Sequence, residues 1–403
     1  MIRKLGVLSL VLIMVVTQIG CWDKREAEEL GVVTGIAIES DGEKGVRVLV
    51  QTTNVAALNR SGDGNRGLEF EKAYRNTVVE GENLYDAIKH LSLMTSSQRF
   101  YSHTIVIVVS EDYARNQGLG AIMDYIARDP QWRVDVWLLV GRGDVFALMD
   151  TKGVLRPVPA QRIGAILKQH KLTGTYAPTR LGEFLKVLSS GTSQPYTAVL
   201  ESQPNRSKTA GSGILDGVVP EPENNLVMNG TAVFKKDKMV GWLDESQSRG
   251  LLYIRGKIGQ GEIKFPSPDG SDKVISTEIL KAKSKLQPEI INDRVVMNIN
   301  IEVSSALEDK QGRVKVSDPE GVQVLEEAQR QAVVESIQSA LTAAQEKYQA
   351  DIFGFGEAVH REYPQRWSMI KQQWPDLFPE VETRICVKSS IRHTNLMSDP
   401  PNP

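Results

Sequence analysis

The chain has 403 residues, with 48 Lys and Arg against 50 Asp and Glu, a formal charge of −2, and 41% hydrophobic residues. This is the composition of an ordinary globular protein, and its near-neutral balance excludes the basic footprint of a nucleic-acid binder. At about 100 to 200 residues per domain the length predicts two or three domains; with Cys21 and Cys386 as the only cysteines, the fold must rest on its cores and not on disulfides.

The N-terminus reads Met1-Ile2-Arg3-Lys4, then an uncharged run from Leu5 to Gly20, then Cys21 and the charged cluster Asp23-Lys24-Arg25-Glu26. A basic start and an apolar core of about 15 residues fit an export signal. At roughly 1.5 Å per helical residue that core reaches about 22 Å, short of the roughly 30 Å of a bilayer. Gly20 before Cys21 is similar to the lipobox of bacterial lipoproteins, although Gln18 stands where an apolar residue is usual. The resemblance implies that residues 1–20 are a signal peptide and that Cys21 carries S-diacylglycerol and an N-acyl chain such as palmitate. Two or three chains anchor a protein stably. After residue 20 no apolar run is long enough for a membrane span.

Leu30 to Ile38 and Val46 to Thr52 flank the turn residues Ser40 to Gly45, which predicts a β-hairpin. Residues 59–67 are a polar Gly- and Asn-rich loop. Leu84, Ile88 and Leu91 recur at helical spacing, and Ile105 to Val109 is an apolar run suited to a strand covered on both faces. A helix through Leu119, Ile122 and Ile126 stops near Pro130, and Val134 to Val140 is the next strand. Strand, helix and strand at this spacing predict a parallel βαβ unit. Residues 203–225 have the composition of a connector. Beyond it, Leu226 to Phe234 and Met239 to Leu243 read as strands around Lys235 to Lys238, and 273–286 and 294–304 as two more. Asp318-Pro319 predicts a helix start with an Asp cap. That helix should carry Val322, Leu325, Ile337, Leu341 and Tyr348 on one stripe and end at Gly354, and the strand Val381 to Ile391 follows. The expected class is α+β: several mixed α/β domains, the N-terminal one with a parallel βαβ unit, the C-terminal one a β-sheet packed by a long helix. The expected divisions are 21–205, 206–272, 273–393 and a disordered tail at 394–403.

No catalytic constellation is visible. His90, His103, His170, His360 and His393 lie far apart, without metal-ligand spacing. No Gly-x-Ser-x-Gly nucleophile elbow occurs, and Gly354-Phe355-Gly356 follows a helix instead of a strand, which fits a helix stop and not a nucleotide loop. Catalytic residues, metal and cofactor are therefore all expected to be absent. Two polar features remain. Arg128-Asp129-Pro130-Gln131-Trp132-Arg133 occupies a helix-to-strand connection, where Arg128 is expected to bind the last helical carbonyls and Arg128 and Arg133 are candidates for a partner contact. Cys386 sits between Arg384 and Lys388 on the polar face of the last strand.

Cys21-Trp22-Asp23, Glu29 to Ile38, Ser102-His103, Arg128-Asp129-Pro130, Gly230 to Phe234, Gly241-Trp242-Leu243-Asp244, Arg249-Gly250-Leu251 and Asp351 to Gly356 together resemble the Ger(x)C family, the C subunits of spore germinant receptors. The resemblance spans nearly the whole mature chain. It implies a non-enzymatic lipoprotein on the outer face of the spore inner membrane, built of mixed α/β domains. Its implied partners are a multi-spanning A subunit and a transporter-like B subunit. Of the family's functional positions only Cys21 carries over with a chemical role. The alternative, a solute-binding lipoprotein of a transporter, would require two similar lobes around a cleft, and no internal repeat supports it.

Overall fold

The computed structural model describes residues 30–42, 45–53, 73–95, 98–151, 156–204, 224–310 and 318–393. The leader, Cys21, the polar loop at 59–67 and the tail at 394–403 lie outside them. The architecture is α+β, with two sheets and helices packed against both.

The predicted hairpin forms β1 (Leu30–Asp41) and β2 (Gly45–Thr53), and β3 (Tyr74–Gly81) extends it antiparallel. Helix α1 (Leu84–Met94) begins at Asn83, whose side chain accepts from the Asp86 N–H, and buries Leu84, Ile88 and Leu91. After β4 (Gln98–Phe100), which pairs with the start of β1, comes β5 (Val106–Ser110), buried at every position. Its side chains alternate between two cores: Ile107 and Val109 on one face, Val106 and Val108 on the other. Such double burial is what a continuous β-branched run is suited to.

The crossover from β5 consists of α2 (Glu111–Asn116) and α3 (Gly120–Arg128), and β6 (Trp137–Gly141) then pairs parallel to β5. The strand starts later than the predicted Val134 because that residue is on the surface, 56% exposed, where its carbonyl accepts from the Gly182 N–H. Helices α4 (Val145–Leu148), α5 (Pro159–Lys168) and α6 (His170–Thr173) follow. Next come β7 (Thr179–Arg180), α7 (Leu181–Ser190) and β8 (Tyr196–Pro204), the last parallel to β6. β9 (Asn224–Lys235) and β10 (Lys238–Leu243) return antiparallel and complete a ten-stranded sheet. The strands of 206–272 thus divide between the two sheets, because helix α8 (Glu245–Ile254) leads from β10 to β11 (Glu262–Pro266) in the second.

The second sheet is built around a long hairpin, β12 (Val274–Ile291) and β13 (Arg294–Lys310). Asn292 and Asp293 connect them with φ of 49° and 67°, the left-handed pair of a tight primed turn that matches strand twist. Pro288 pairs with Met297 where β11 no longer lies alongside β12, an edge where a missing N–H costs no ladder bond. Lys281, Lys283 and Lys285 alternate along the same edge, which discourages pairing with another chain.

Helix α9 (Pro319–Thr342) is capped by Asp318, whose side chain accepts from the Glu320 N–H. Leu325, Ile337 and Leu341 are buried in one core with Ile275, Ile299 and Val387, whereas Val322 is half-buried at the helix start. Gln329, 0% exposed, stands in the same stripe. Its Oε1 accepts from the Thr277 and Ser305 hydroxyls at 2.7 Å and its Nε2 donates to Ser389 at 2.7 Å. Three strands are thereby tied to one helical position, with the buried amide satisfied at each end. The expected helix end at Gly354 is corrected. Ala343–Tyr348 continue as a π-helical turn, Gln349 closes it with φ of 49°, and Gly354 stands instead before α10 (Phe355–Glu362). α11 (Pro364–Ile370) and α12 (Trp374–Leu377) precede β14 (Glu382–His393), which pairs parallel to β13. Along β14 Val387 and Ile391 are buried, Thr383 and Ile385 half-buried.

Candidate functional site at the junction of the two sheets

Several motifs that the sequence shows as separate stretches meet where the two sheets join. Asp351 is at the centre, 3% exposed. Its Oδ1 accepts from the N–H groups of Gly354 and Phe355 at 2.9 and 3.0 Å, and its Oδ2 from the Gly356 N–H at 2.8 Å and the Trp374 indole at 3.0 Å. The carboxylate therefore caps the start of α10, where helical N–H groups lack internal partners. Burial pushes its pKa up, while these four donors pull it down. Its backbone carbonyl accepts from Gln194 N–H at 2.7 Å, a bond from the second unit to the first.

Gly354 takes φ of 80°, a left-handed conformation that glycine adopts without penalty. At Gly356 a Cβ would collide with the Thr192 carbonyl and lie 2.7 Å from the Trp374 indole nitrogen. Arg255, after α8, donates to the Phe353 carbonyl at 3.0 Å and lies 3.7 Å from Glu357. Further along, the Tyr348 hydroxyl donates to the Trp242 carbonyl and accepts from its N–H, and the ring occupies the space a side chain at Gly241 would need. Gly250 brings α8 against α9 at Ser336 and Ala340. The aromatic group Trp367, Trp374 and Phe378 is core, all three 5% exposed or less. In this arrangement the Asp351 oxygens are taken up by four donors that hold the junction together.

Cys21 lies outside the described residues. Arg128 does not bind the last helical carbonyls as expected; it forks onto Asp124 one turn earlier, at 2.9 and 3.0 Å, with its side chain 77% exposed. The helix stop is made by Asp129, which is extended and donates its N–H to the Tyr125 carbonyl. Arg133 is exposed, and the Trp132 between them is buried and stacked on Tyr101 at 4.7 Å. Ser102 donates to the Gln131 carbonyl at 2.9 Å, which joins two more of the motifs. Cys386 is exposed on β14. Among the described residues no group of three His, Cys, Asp or Glu side chains could hold a metal ion. The two sheets differ in size and strand order, so they are not the similar lobes a solute-binding reading requires.

Residues 23–202 match the family described as spore germination protein N-terminal domain, and residues 229–395 the one described as spore germination B3/GerAC like, C-terminal. The chain is 24% identical to spore germination protein KC of Bacillus subtilis (strain 168), over 99% of this chain and 98% of that one. It is 26% identical to spore germination protein YndF of the same organism, over 97% of each. The crystal structure of the GerBC protein shares the fold, with a TM-score of 0.57 at 18% identity over 90% of this chain and 97% of that one.

Proposed function

Because the chain belongs to the GerAC-like family of spore germination proteins, we propose that it is the lipid-anchored C subunit of a nutrient germinant receptor. In this reading Cys21 carries the lipid and holds the body on the outer face of the spore inner membrane. The integral A and B subunits assemble with it, and its contribution to germination is binding, not catalysis. The observation that carries the reading is likeness to spore germination proteins over nearly the full chain, with an apolar leader that stops at Cys21. No helix among the described residues is long and apolar enough to cross a membrane, which is consistent with attachment through the leader region. Arg128 and Arg133, on the exposed α3 to β6 connection, are the proposed partner contact, since Arg is enriched among interface hot spots.

The test is fractionation of spore membranes followed by co-purification. Cys21→Ala is expected to move the protein to the soluble fraction; retention on the membrane with the leader uncleaved would replace lipidation by a protein anchor. Arg133→Glu is expected to reduce the recovery of the integral subunits while leaving membrane attachment and thermal unfolding unchanged. Full recovery of both partners with that variant would remove this connection from the interface.

A further inference from the structure

The strand directions give the first unit a definite entry end. β1 runs inward from Leu30, β2 returns antiparallel and β3 runs away again, so the start of β3 stands at the end where Leu30 enters. Helix α1 then leads back to that end. β4 begins at Gln98, in register with Leu30, and only residues 95–97 separate Gln98 from Met94. At roughly 3.5 Å per extended residue, Met94 is held within about 14 Å of Gln98.

This end carries exposed apolar side chains. Leu93 is 84% exposed, Met94 68%, and Phe100, opposite Val32 in β4, 37%. Single exposed apolar residues are ordinary, but Leu93 and Met94 are adjacent, at the tip of a helix whose Leu84, Ile88 and Leu91 already supply its core face. The course of the chain before Leu30 says what covers them. Eight residues, 22–29, lie between Leu30 and Cys21, a reach of about 30 Å at full extension. With lipid on Cys21, the entry end is kept within that distance of the bilayer, where an apolar tip is buried at the headgroup level. The Arg99 guanidinium takes the space that a side chain at Gly31 would need, and Arg75 is at the start of β3. Cations beside an apolar tip suit an anionic lipid interface.

We propose that Leu93, Met94 and Phe100 dock the first unit onto the lipid bilayer beside the entry of the chain. The proposal rests on the lipid-anchor reading and adds an orientation to it: the N-terminal ends of β1 and β4 face the membrane. Met94 is its own reporter, and Met369, 70% exposed on α11 of the second unit, is the internal control. The full chain is purified from membranes, reconstituted into vesicles of equal parts phosphatidylglycerol and phosphatidylcholine, and treated with hydrogen peroxide. Peptide mass spectrometry follows the sulfoxide at each methionine. A chain beginning at Trp22, which retains every described element, is the unanchored reference. On vesicles the oxidation of Met94 is expected to slow about tenfold against that reference, the bias that burial of one Met or Leu side chain supplies, with Met369 unchanged. Leu93→Glu is expected to restore Met94 oxidation while flotation with the vesicles and thermal unfolding stay as in the parent. Flotation with an unprotected Met94 overturns the docked face and leaves the anchor standing, whereas loss of flotation removes the anchor and this proposal together. Equal slowing at Met94 and Met369 would mark general shielding, and protection seen only in native spore membranes would assign the face to a protein partner; either result overturns the proposal.

Discussion

Asp351→Ala is expected to destabilise the protein by about 3 kcal/mol or more, because it leaves several buried N–H donors without an acceptor, each costing roughly 1 to 3 kcal/mol. The donors are three consecutive backbone N–H groups and the Trp374 indole. Asp351→Asn separates the hydrogen bonds from simple cavity formation. An amide of nearly the same shape can keep its oxygen toward Gly354 and Phe355, but its NH2 then faces two other donors at the Gly356 and Trp374 positions. This variant should lie between Asp351→Ala and the parent. Denaturant unfolding followed by tryptophan fluorescence would report it, since Trp367 and Trp374 pack at 5.5 Å beside the carboxylate. If Asp351→Asn unfolded at the parent's denaturant concentration, the four-donor account of this junction would be wrong.

Gly250→Ala should destabilise as well, against the direction that helix propensity alone gives. In a helix interior that exchange gains about 1 kcal/mol. Here the added Cβ would lie 2.7 Å from the Ala340 Cβ and closer still to the Ser336 carbonyl, which belongs to the backbone of α9 and cannot turn aside. Overpacking of this kind costs about 1 to 3 kcal/mol, occasionally more, so the net sign is loss. Gly250→Leu should open the α8 to α9 contact and expose the junction to proteolysis. Melting temperatures of the two variants give the check, and a Gly250→Ala protein more stable than its parent would show that the helices can separate without loss.

Elements with strong local signals were legible in the sequence. The β1 and β2 hairpin followed from two β-branched runs around Ser40 to Gly45, and β5 from an apolar run that only a doubly covered strand can use. The end of α9 was not legible, because Gly354 is a natural helix stop by composition, whereas the structure uses Gln349 with positive φ after a π-helical turn. α5 and α7 were not among the expected elements, because their apolar residues make sense only against the sheet they cover. The junction itself could not be read, since Asp351, Thr192, Trp242 and Gly250 come from distant segments and no local pattern links them. Asp351 three residues before Gly354 did carry a signal, that of a side-chain cap ahead of a helix. Reading Gly354-Phe355-Gly356 as the end of a helix obscured it. For Arg128 the spacing from Asp124 carried the signal of an i,i+4 ion pair, which the expectation of carbonyl capping passed over.

The parallel placement of β14 beside β13 bears on how the second sheet is assembled in time. β13 reaches its second neighbour only after α9 and the three short helices have been laid down, with Val296 waiting for Glu382 and Ile301 for Val387. Pairings between such distant segments carry a large loop-closure cost and slow the search for the native state. Until β14 docks, Gln329 lacks its Ser389 partner and one flank of β13 is open. The hairpin of β12 and β13, joined by a two-residue turn, can form early; the sheet becomes cooperative only when the last strand arrives. A chain cut before Glu382 would therefore hold the ten strands of the first sheet, β11 and a preformed hairpin, yet lack the strand that commits the second sheet to its final packing.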